Sequence, residues 1–599
     1  MYFAFFLMLF LIKIFAARTI MFGQVGFTDT MLLEGGFLFL FLMMIETLVP
    51  KKIRNLIYLL SNVLLTAILA GIVLYYKALN IIPDISTLGQ LGQLQTIKGS
   101  VFSLLEPSYL WFVADIVVIL VLMIRKKFPI ATKKRIGTKT IVISSLVALL
   151  LSAFQVTEVF GNTKNASKAV KEHGVLSYQV AKTFDQNNTE IAKVDKSKEE
   201  FLAELSELKE GNLSNEKVAF GSAKGKNVIM IQVESLQNFV IDLSVDGQEV
   251  TPVLNSLVDE SYYFSNVYQQ VGQGNTSDAE FIFNTAIYPR EDVATSELAS
   301  TRDFPSIARI LGEQGYSTST FHPGDKEFWN RDDLYPALGI ETIYDKQLFE
   351  NEDVIGIGPS DEVLFKKGVM ELKKTQQPFY SQFITLSSHH PFELPKEKQL
   401  LELPEKLENT DVGNYLQSVA YTDQAIGKFI EELKKNGLYD NSLLVIYGDH
   451  QAPLQDEKLV SEVLNHEYHT IDKFNVPFLI HGDMTKQGQK ITQVGGQLDM
   501  MPTVANLLGL SLDNEVIFGQ DLLNTEKNLV GTRFYLPTGS YFSNSVFYEA
   551  GNTFDDGVAY SLDTHEEIPL TADMKKDYEA VLKLEKLSDD YIASLEGKE

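Results

Sequence analysis

Hydrophobic residues are distributed unevenly along this chain, and their pattern predicts two parts of different kinds. Five apolar stretches lie near the N-terminus, at about 1–17, 31–49, 55–76, 107–125 and 139–155. Several of them approach the roughly 20 residues that span a hydrocarbon core. A single stretch could be a buried core helix or a cleaved signal peptide, but the whole set predicts a transmembrane domain over residues 1–155.

Basic residues between the apolar stretches predict the orientation of this domain, because cytoplasmic loops carry an excess of Lys and Arg. Two loops have such an excess: Lys51, Lys52 and Arg54 in one, and Arg125, Lys126, Lys127, Lys133, Lys134 and Arg135 in the other. Both loops are therefore expected in the cytoplasm, and everything after the fifth stretch outside it. Arg18 lies on the outer side in this scheme and disagrees with it.

The rest of the chain is polar and mixed. Residues 156–220 are rich in Asn, Lys, Glu and Ser, which predicts an extracytoplasmic linker or stalk containing a helix near 199–208. Apolar runs typical of buried parallel strands follow at 227–233, 378–386 and 442–447. Helical patterns at 414–437 and, as a terminal surface helix, at 574–595 accompany them. This order predicts an α/β domain with a central, mostly parallel sheet over residues 221–599.

Charge and composition narrow the class of function. The net charge is −26, most of it in the second part of the chain, which argues against nucleic acid as a partner. An acidic surface does not exclude a membrane substrate, because the apolar helices tether the domain to the bilayer. The chain contains no cysteine, so thiolate metal sites, cysteine nucleophiles and disulfides are excluded.

Two of the predicted strands end in residues that could bind a metal. Glu234 follows the run 227–233, and Asp449 and His450 follow the run 442–447. In open α/β sheets, binding sites collect at the carboxyl ends of the strands. Carboxylate oxygens with an imidazole nitrogen suit Mn²⁺, Mg²⁺ or Zn²⁺. For each residue alone, an ordinary loop carboxylate or a hydrogen-bonded histidine is the alternative.

A glycine-rich segment supplies a candidate nucleophile. It reads Gly-Gln-Gly-Asn-Thr-Ser-Asp-Ala-Glu over residues 272–280, and Ser277 and Glu280 have the spacing of a capping box. Ser277 is therefore expected to cap a helix, with Thr276 at its N-terminus, where backbone amides and the helix dipole favour an anion. A metal contact would further lower the pKa of the threonine hydroxyl. The alternative is that Thr276 only belongs to the cap.

These motifs together resemble the lipoteichoic acid synthase family, of the alkaline phosphatase/sulfatase superfamily. The shared segments are Glu234, the Gly-Asn-Thr-Ser-Asp-Ala-Glu around Thr276, Phe-Trp-Asn-Arg at 328–331, Ser-Ser-His-His-Pro-Phe at 387–392 and Tyr-Gly-Asp-His at 447–450. That family also has five membrane spans followed by an extracytoplasmic catalytic domain. The resemblance implies that one divalent metal, usually Mn²⁺ with Mg²⁺ as the alternative, is bound by Glu234, Thr276, Asp449 and His450. It also makes Thr276 the nucleophile.

The resemblance implies a substrate pocket as well. His389 matches the histidine that contacts the glycerol phosphate group, and Trp329 and Arg331 match residues that line the same pocket. Asp325 is the nearest match to an acidic residue that the family has just before the tryptophan. His390 stands where the family more often has an aromatic residue, so either His389 or His390 is the functional histidine.

The implied function is transfer of glycerol phosphate from phosphatidylglycerol onto a growing lipoteichoic acid chain, through a glycerophospho-threonine. The nearest alternative is a primase that adds only the first glycerol phosphate to a glycolipid anchor. The lack of cysteine disfavours a phosphoethanolamine transferase, and the lack of a Cys/Ser-x-Pro-x-Arg motif disfavours a sulfatase. The complete set of ligand residues disfavours a non-catalytic envelope-binding protein.

The same resemblance implies a multi-pass protein of a Gram-positive cell membrane with an extracellular catalytic domain. Proteolysis in the stalk would release that domain as a secreted form, and small residues near 219–223 are the candidate cleavage region. His466 and His469 lie three residues apart, not the four of a zincin helix, and are interpreted as loop or surface residues.

Overall fold

The computed structural model of the chain consists of two compact units, residues 1–191 and 192–599. The second unit carries every residue that the sequence selected as a candidate for chemistry. The residues that the structure describes are 2–23, 25–79, 81–84, 87, 101, 104–125, 138–160, 166–185, 194–209, 217–291, 293–299 and 302–595.

The first unit is built from apolar helices, which confirms the predicted membrane domain. Its helices in the described part of the N-terminal 160 residues are Tyr2–Phe22, Phe27–Leu48, Lys51–Leu79, Trp111–Ile124 and Thr138–Phe160, with a short 3₁₀ turn at Pro107–Leu110. Four are long and apolar enough to cross a membrane, whereas Trp111–Ile124 has only 14 residues. At about 1.5 Å per residue, that helix is shorter than a hydrocarbon core of about 30 Å.

Arg18 disagreed with the orientation because it is not a loop residue. It lies inside the first helix, only 2% exposed, and its guanidinium donates to the Thr30 hydroxyl and the Lys171 carbonyl oxygen. Lys13 in the same helix forms an ion pair with Asp115 at 2.9 Å. Arg18 and Lys13 are therefore helix residues with partners inside the first unit, and they do not count among the loop charges that predict orientation. Of the second basic loop, only Arg125 lies within the described residues.

Residues 156–220, predicted as a stalk, belong partly to the first unit and partly to the second. Helices Ala166–His173 and Val175–Asp185 belong to the first unit, where Glu34 accepts hydrogen bonds from the backbone N–H groups of Val175 and Leu176. The next helix, Lys198–Leu208, belongs to the second unit. Phe201 and Leu205 of this helix are buried in a core of the second unit. Its charged residues, on which the prediction of a solvated stalk rests, lie on the exposed face.

The predicted α/β sheet of the second unit is confirmed. Five neighbouring strands of this nine-stranded sheet run parallel, and the strand Asn475–His481 adds to them in the antiparallel direction. Across the sheet the strands are ordered Gln489–Ile491, Ser261–Tyr268, Asn475–His481, Ser442–Gly448, Asn227–Val233, Phe379–Ile384, Ser317–Phe321 and Thr342–Tyr344, and Gly495–Gly496 also pairs with Ser261–Tyr268.

Helices cover both faces of this sheet, which is why its central strand reads as a continuous apolar run. Val228 and Met230 pack into one core and Ile229 and Ile231 into the other. The helices that contribute side chains to the first core are Lys198–Leu208, Thr276–Thr285, Ile307–Glu313, Arg331–Ala337, Met500–Leu508 and Ala572–Ser594. Those on the second are Pro252–Val258, Lys346–Phe349, Asp361–Leu372, Asp411–Lys435 and Glu457–Leu464.

The C-terminal part contains elements that the sequence pattern did not predict. An antiparallel sheet is formed by Leu529–Thr532, Ser540–Ser543, Val546–Glu549, Val558–Ser561 and Glu567–Ile568. The predicted terminal helix is present at Ala572–Ser594, and its inner face buries Tyr578, Val581, Leu587 and Tyr591 while most of its charged residues remain exposed. Smaller elements are the helix Thr470–Phe474 and the strand pairs Ser244–Val245 with Gln248–Glu249 and Val354–Ile355 with Gly358–Pro359.

The position of the helix Lys198–Leu208 leads to a prediction about fragments. We expect residues 192–599 to fold without the first unit and to be more stable than residues 217–599. The shorter fragment lacks Phe201 and Leu205, which are 0% and 5% exposed in the main core. Removing two such side chains is expected to cost about 3–6 kcal/mol of unfolding free energy, measured by urea denaturation. Phe201→Ala in the longer fragment should reproduce most of the loss, and equal stability of the two fragments would contradict the prediction.

Candidate active site

Three of the predicted ligands meet at one edge of the sheet. The strands Asn227–Val233 and Ser442–Gly448 are parallel neighbours whose last residues, Val233 and Gly448, lie opposite each other. Glu234, Asp449 and His450 follow directly, so they leave the sheet at the same point. Their potential ligand atoms all lie within 4.8 Å of one another.

The Thr276 hydroxyl completes this cluster. Its Oγ1 lies 3.3 Å from Glu234 Oε2 and 3.5 Å from His450 Nε2. His450 Nε2 is in turn 3.7 Å from Glu234 Oε1 and 3.6 Å from Asp449 Oδ2. Ligands that surround one ion tetrahedrally at about 2.0–2.2 Å are themselves about 3.3–3.6 Å apart. The four side chains therefore have the mutual spacing of a shell around a single cation.

Asp449 shows most directly that these residues fit a cation. One of its oxygens, Oδ1, accepts hydrogen bonds of 2.7 Å from the backbone N–H groups of Ser235 and His450. The other, Oδ2, is buried and has no hydrogen-bond partner among the described residues. Buried carboxylate oxygens are rarely left in that state. Burial raises the pKa of Asp449. The negative charge of Glu234 raises it further, whereas His450 lowers it by a smaller amount than burial raises it. A divalent cation would remove this penalty by favouring the carboxylate form.

The neighbouring groups keep Glu234 ionised and orient the His450 ring towards the cluster. Burial alone would raise the pKa of Glu234, but His450, His389 and two hydroxyl donors outweigh it and hold that pKa below its usual range. One of these donors, Ser235 Oγ, is 2.7 Å from Glu234 Oε1. His450 Nδ1 donates to the Gln451 carbonyl oxygen at 3.0 Å, so in the neutral imidazole the lone pair is on Nε2 and faces the cluster. Against the effect of burial, Asp449 and Glu234 raise the pKa of His450, so a cation would bind there in competition with a proton.

The helix that carries Thr276 does not use the predicted capping box. It runs from Thr276 to Thr285, one residue earlier than expected, and Asn275 at its N-cap makes no side-chain cap. Ser277 Oγ donates to the Gly274 carbonyl oxygen at 3.0 Å and accepts from no amide in the part of the chain that the structure describes. Glu280 is bonded elsewhere, so the prediction that Ser277 caps this helix is wrong.

The turn before Thr276 is folded by a different carboxylate. Asp278 accepts hydrogen bonds from the N–H groups of Gly272 and Gly274, at 3.0 and 2.9 Å, and from that of Thr295 at 3.1 Å. A Cβ on Gly274 would lie 2.6 Å from an Asp278 oxygen, so this tight turn requires glycine. Asn275 adopts a φ of +43°, and its side-chain oxygen accepts a hydrogen bond from the Tyr535 hydroxyl. Together these contacts fix the backbone from which the Thr276 hydroxyl projects.

The two candidate pocket histidines have different surroundings. His389 Nδ1 donates to the His390 carbonyl oxygen at 2.7 Å, so its Nε2 is left to exchange a proton. His389 also lies close enough to Glu234 to lower the pKa of that carboxyl. His390 is partly buried and packs edge-on against Phe392, with ring centroids 5.3 Å apart, and this burial together with His389 lowers its pKa to about 4.

The segment Phe-Trp-Asn-Arg is held by buried contacts. Arg331 is 1% exposed, and its Nε and a terminal nitrogen donate to Glu280 at 3.0 and 2.8 Å. Trp329 adopts a left-handed conformation with φ +59° and is largely buried. Asp325 forms an ion pair with Lys346 and accepts a hydrogen bond from the N–H of Glu327. The main contact of Arg331 in the structure is therefore a carboxylate, Glu280.

Sequence reasoning missed one further histidine at this edge. His322 directly follows the strand Ser317–Phe321, is 7% exposed, and donates from Nδ1 to the Ile384 carbonyl oxygen at 3.3 Å. Burial, Arg331 and His389 lower its pKa. Its position after a strand is the signal that identified Glu234 and Asp449. The strand itself was not recognised because its sequence, Ser-Thr-Ser-Thr-Phe, contains no apolar run.

Comparison with known proteins identifies the family of the chain. The model of the lipoteichoic acid synthase N-terminal domain matches residues 1–195, and the Sulfatase model matches residues 226–510. Lipoteichoic acid synthase 2 of Bacillus subtilis is 30% identical over 547 residues, which are 88% of this chain and 83% of that protein. Lipoteichoic acid synthase of Staphylococcus saprophyticus is 32% identical over 521 residues, which are 83% of this chain and 79% of that protein.

A solved structure matches about two thirds of the chain. The crystal structure of the lipoteichoic acid synthase LtaP from Listeria monocytogenes superposes with a TM-score of 0.64 and 38% identity, covering 66% of this chain and 100% of that one. Apolar helices followed by a sulfatase-type α/β unit define a membrane enzyme of the alkaline phosphatase/sulfatase superfamily, whose members use a divalent metal. Within that superfamily, the chain belongs to the lipoteichoic acid synthase family.

Proposed function

We propose that this protein transfers glycerol phosphate from phosphatidylglycerol onto a growing lipoteichoic acid chain, with Thr276 as the nucleophile. The observation that carries the proposal is the Thr276 hydroxyl, 3.3 Å from Glu234 and 3.5 Å from His450. Glu234, Asp449, His450 and Thr276 would hold one Mn²⁺ ion, or Mg²⁺ in its place. When bound, that ion supplies positive charge that lowers the pKa of the threonine hydroxyl and offsets charge on the phosphate.

The proposed reaction has two displacements at phosphorus. Thr276 reacts in its deprotonated form: Oγ1 forms a bond to the phosphorus of phosphatidylglycerol, and the bond from phosphorus to the diacylglycerol oxygen breaks, which leaves glycerophospho-threonine. The terminal hydroxyl of the acceptor chain then attacks the same phosphorus, and the bond to Thr276 breaks. Positioning and electrostatics supply most of the catalysis in such transfers.

His389 is the residue that we propose for moving the proton. Its Nε2 would protonate the departing diacylglycerol oxygen in the first displacement and accept the proton of the acceptor hydroxyl in the second. His390 is less suited to this role, because its pKa of about 4 keeps it neutral near pH 7 and it packs against Phe392. Arg331, Trp329 and Asp325 are proposed to line the pocket for the glycerol phosphate group, and we add His322 to that set.

The membrane context supports a lipid donor and a lipid-anchored acceptor. We propose that the second unit lies outside the cell, as the basic loops indicate, where the acceptor chain grows. The names of the relatives, lipoteichoic acid synthases, favour a polymerising synthase over a primase that adds one unit to a glycolipid.

The region suggested for proteolytic release is held in place by the second unit. The backbone N–H groups of Gly221 and Ala223 donate to the carbonyl oxygens of Asn506 and Leu507, and Ala223 is buried. A protease requires an extended, accessible segment. We therefore propose that any release of the catalytic unit takes place on the N-terminal side of Lys217 and not within 219–223.

The function can be tested with purified full-length protein in detergent. Fluorescent phosphatidylglycerol and a glycolipid acceptor are expected to give a ladder of products that requires Mn²⁺ and disappears with EDTA. Asp449→Asn should remove the activity together with the bound metal, because it takes away the unpaired ligand oxygen. A single added unit would identify a primase, and release of free glycerol phosphate without any addition to the acceptor would contradict the proposal.

A further inference from the structure

Three histidines surround one carboxylate in the second unit, outside the candidate active site. His466 Nε2 is 3.4 Å from Asp472 Oδ1, and His565 Nδ1 is 3.8 Å from Asp472 Oδ2. The His469 ring lies beside that of His565, with centroids 5.4 Å apart. The chain has only nine histidines, so three around one aspartate are a concentration that needs a physical explanation.

The cluster joins two separate parts of the chain. His466, His469 and Asp472 lie between and within the helices Glu457–Leu464 and Thr470–Phe474. His565 comes from the turn between the strands Val558–Ser561 and Glu567–Ile568, almost a hundred residues later. It adopts a φ of +58°, which is unfavourable for a residue with a Cβ. A strained turn thus presents an imidazole to Asp472.

The hydrogen bonds show which nitrogens could bind an ion. His469 Nδ1 accepts from the Ile471 N–H at 3.2 Å, so in a neutral imidazole the proton is on Nε2. Neither nitrogen of His469 then offers a free lone pair, and this residue caps the helix Thr470–Phe474 and packs against Tyr560, with ring centroids 4.8 Å apart. His466 Nε2 and His565 Nδ1 instead face the same carboxylate.

We propose that His466, His565 and Asp472 form a second metal site, for a divalent transition ion of the Zn²⁺ class. Two imidazoles and one carboxylate are a ligand set that suits Zn²⁺ and not Mg²⁺ or Ca²⁺. Their contacts of 3.4 and 3.8 Å are close to the separation of about 3.3 Å expected between two ligands of one Zn²⁺ ion.

The two imidazoles lie somewhat farther apart than two ligands of one bound ion. The ring centroids of His466 and His565 are 6.3 Å apart. Two imidazoles bound tetrahedrally to one ion at about 2.0–2.1 Å have centroids about 5.2 Å apart, so the half-exposed His466 ring must move about 1 Å towards His565 when an ion binds. The side chains of His466 and His565 are 50% and 28% exposed, which gives an ion a path of entry and lets water complete its shell.

An ion at this site would have a structural effect. It would tie the segment around His466 to the C-terminal sheet. Tyr468, in the same segment, accepts a hydrogen bond of 2.6 Å from Gln237 Nε2, and Gln237 Oε1 accepts one from the Ala452 N–H. Gln237 and Ala452 lie three and two residues beyond the catalytic-site residues Glu234 and His450. The second metal would thus brace the loops that follow those residues.

The test is the zinc content of the full-length protein in detergent, measured after equilibration with micromolar Zn²⁺ and gel filtration. Because Zn²⁺ also suits the catalytic ligands, we expect two ions per chain in the unaltered protein. His466→Ala and His565→Ala should each bind one ion fewer, and should lose part of the rise in melting temperature that Zn²⁺ produces. Asp449→Asn should also lose one ion, but from the other site.

His469→Asn is the matched control, because asparagine retains an acceptor for the Ile471 N–H while removing the third imidazole. This variant should still bind two ions. Equal melting temperatures of all the histidine variants in EDTA would show that each folds normally. One ion in the unaltered protein, two ions in both His466→Ala and His565→Ala, or loss of an ion in His469→Asn would each overturn the proposal. The first outcome would leave the cluster as histidine–aspartate ion pairs.

Discussion

Thr276→Ala is expected to abolish glycerol phosphate transfer, with a loss on the order of 10⁶-fold, the size seen when a covalent nucleophile is removed. No phosphothreonine can form without the hydroxyl that lies 3.3 Å from Glu234 and 3.5 Å from His450. Bound metal should be largely retained, because Glu234, Asp449 and His450 remain. Single-turnover assays with fluorescent phosphatidylglycerol measure the loss, and metal analysis of the same sample shows that the site is otherwise intact.

Ser277→Ala is the matched control, because a second hydroxyl stands next to Thr276. Ser277 is fully buried and donates to the Gly274 carbonyl oxygen, so it is directed into the turn and not at the ligand cluster. Its removal should cost about 1–2 kcal/mol of unfolding free energy and leave most of the turnover. Mass spectrometry of enzyme quenched during turnover should place a glycerophosphate adduct on Thr276. An adduct on Ser277, or full activity of Thr276→Ala, would refute the mechanism.

The parts of the fold that the sequence predicted are those in which burial determines the pattern. The strand Asn227–Val233 is covered on both faces, so each of its two cores selects apolar residues and the run is continuous. The strand Ser317–Phe321 is also in the sheet, but its hydroxyls pair across strands, as Ser319 does with Ser381 at 2.8 Å. Such pairs satisfy polar residues inside a sheet, and no local pattern shows where their partners lie. His322 was missed for this reason.

The candidate site shows the same division. Glu234, Asp449 and His450 could be predicted because they follow recognisable strands. The role of Ser277 could not, because the Ser-x-x-Glu pattern is local whereas the partner of Glu280 is Arg331, 51 residues away. A bidentate charged contact in a buried site outweighs a capping bond at a helix terminus. Glu280 therefore pairs with Arg331 and not with the helix terminus, and the helix begins one residue earlier than predicted.

Arg331→Ala is expected to lower both stability and turnover. Glu280 is fully buried, and among the described residues outside its own helix only Tyr335 also donates to it, from its hydroxyl at 2.6 Å. Removing the guanidinium leaves a buried carboxylate without its cation, at a cost of about 3–5 kcal/mol. Glu280 is on the Thr276 helix and Arg331 directly follows Trp329 and Asn330, so the pair also joins the nucleophile to the pocket. Urea denaturation and metal analysis should show reduced stability with the metal still bound to the folded protein.

The double variant Arg331→Ala with Glu280→Gln separates the two roles of Arg331. Neutralising Glu280 removes the unpaired charge, so about half or more of the lost stability should return. If a phosphate needs this guanidinium, turnover should remain at least about tenfold low. Arg has five N–H donors, and Glu280 and Phe328 engage three of them, so two are left for a phosphate oxygen. Glu280→Gln alone is the control, since it retains the guanidinium beside a neutral partner. Full recovery of turnover in the double variant would show that Arg331 only holds Glu280 in place, and that the phosphate is bound by other groups.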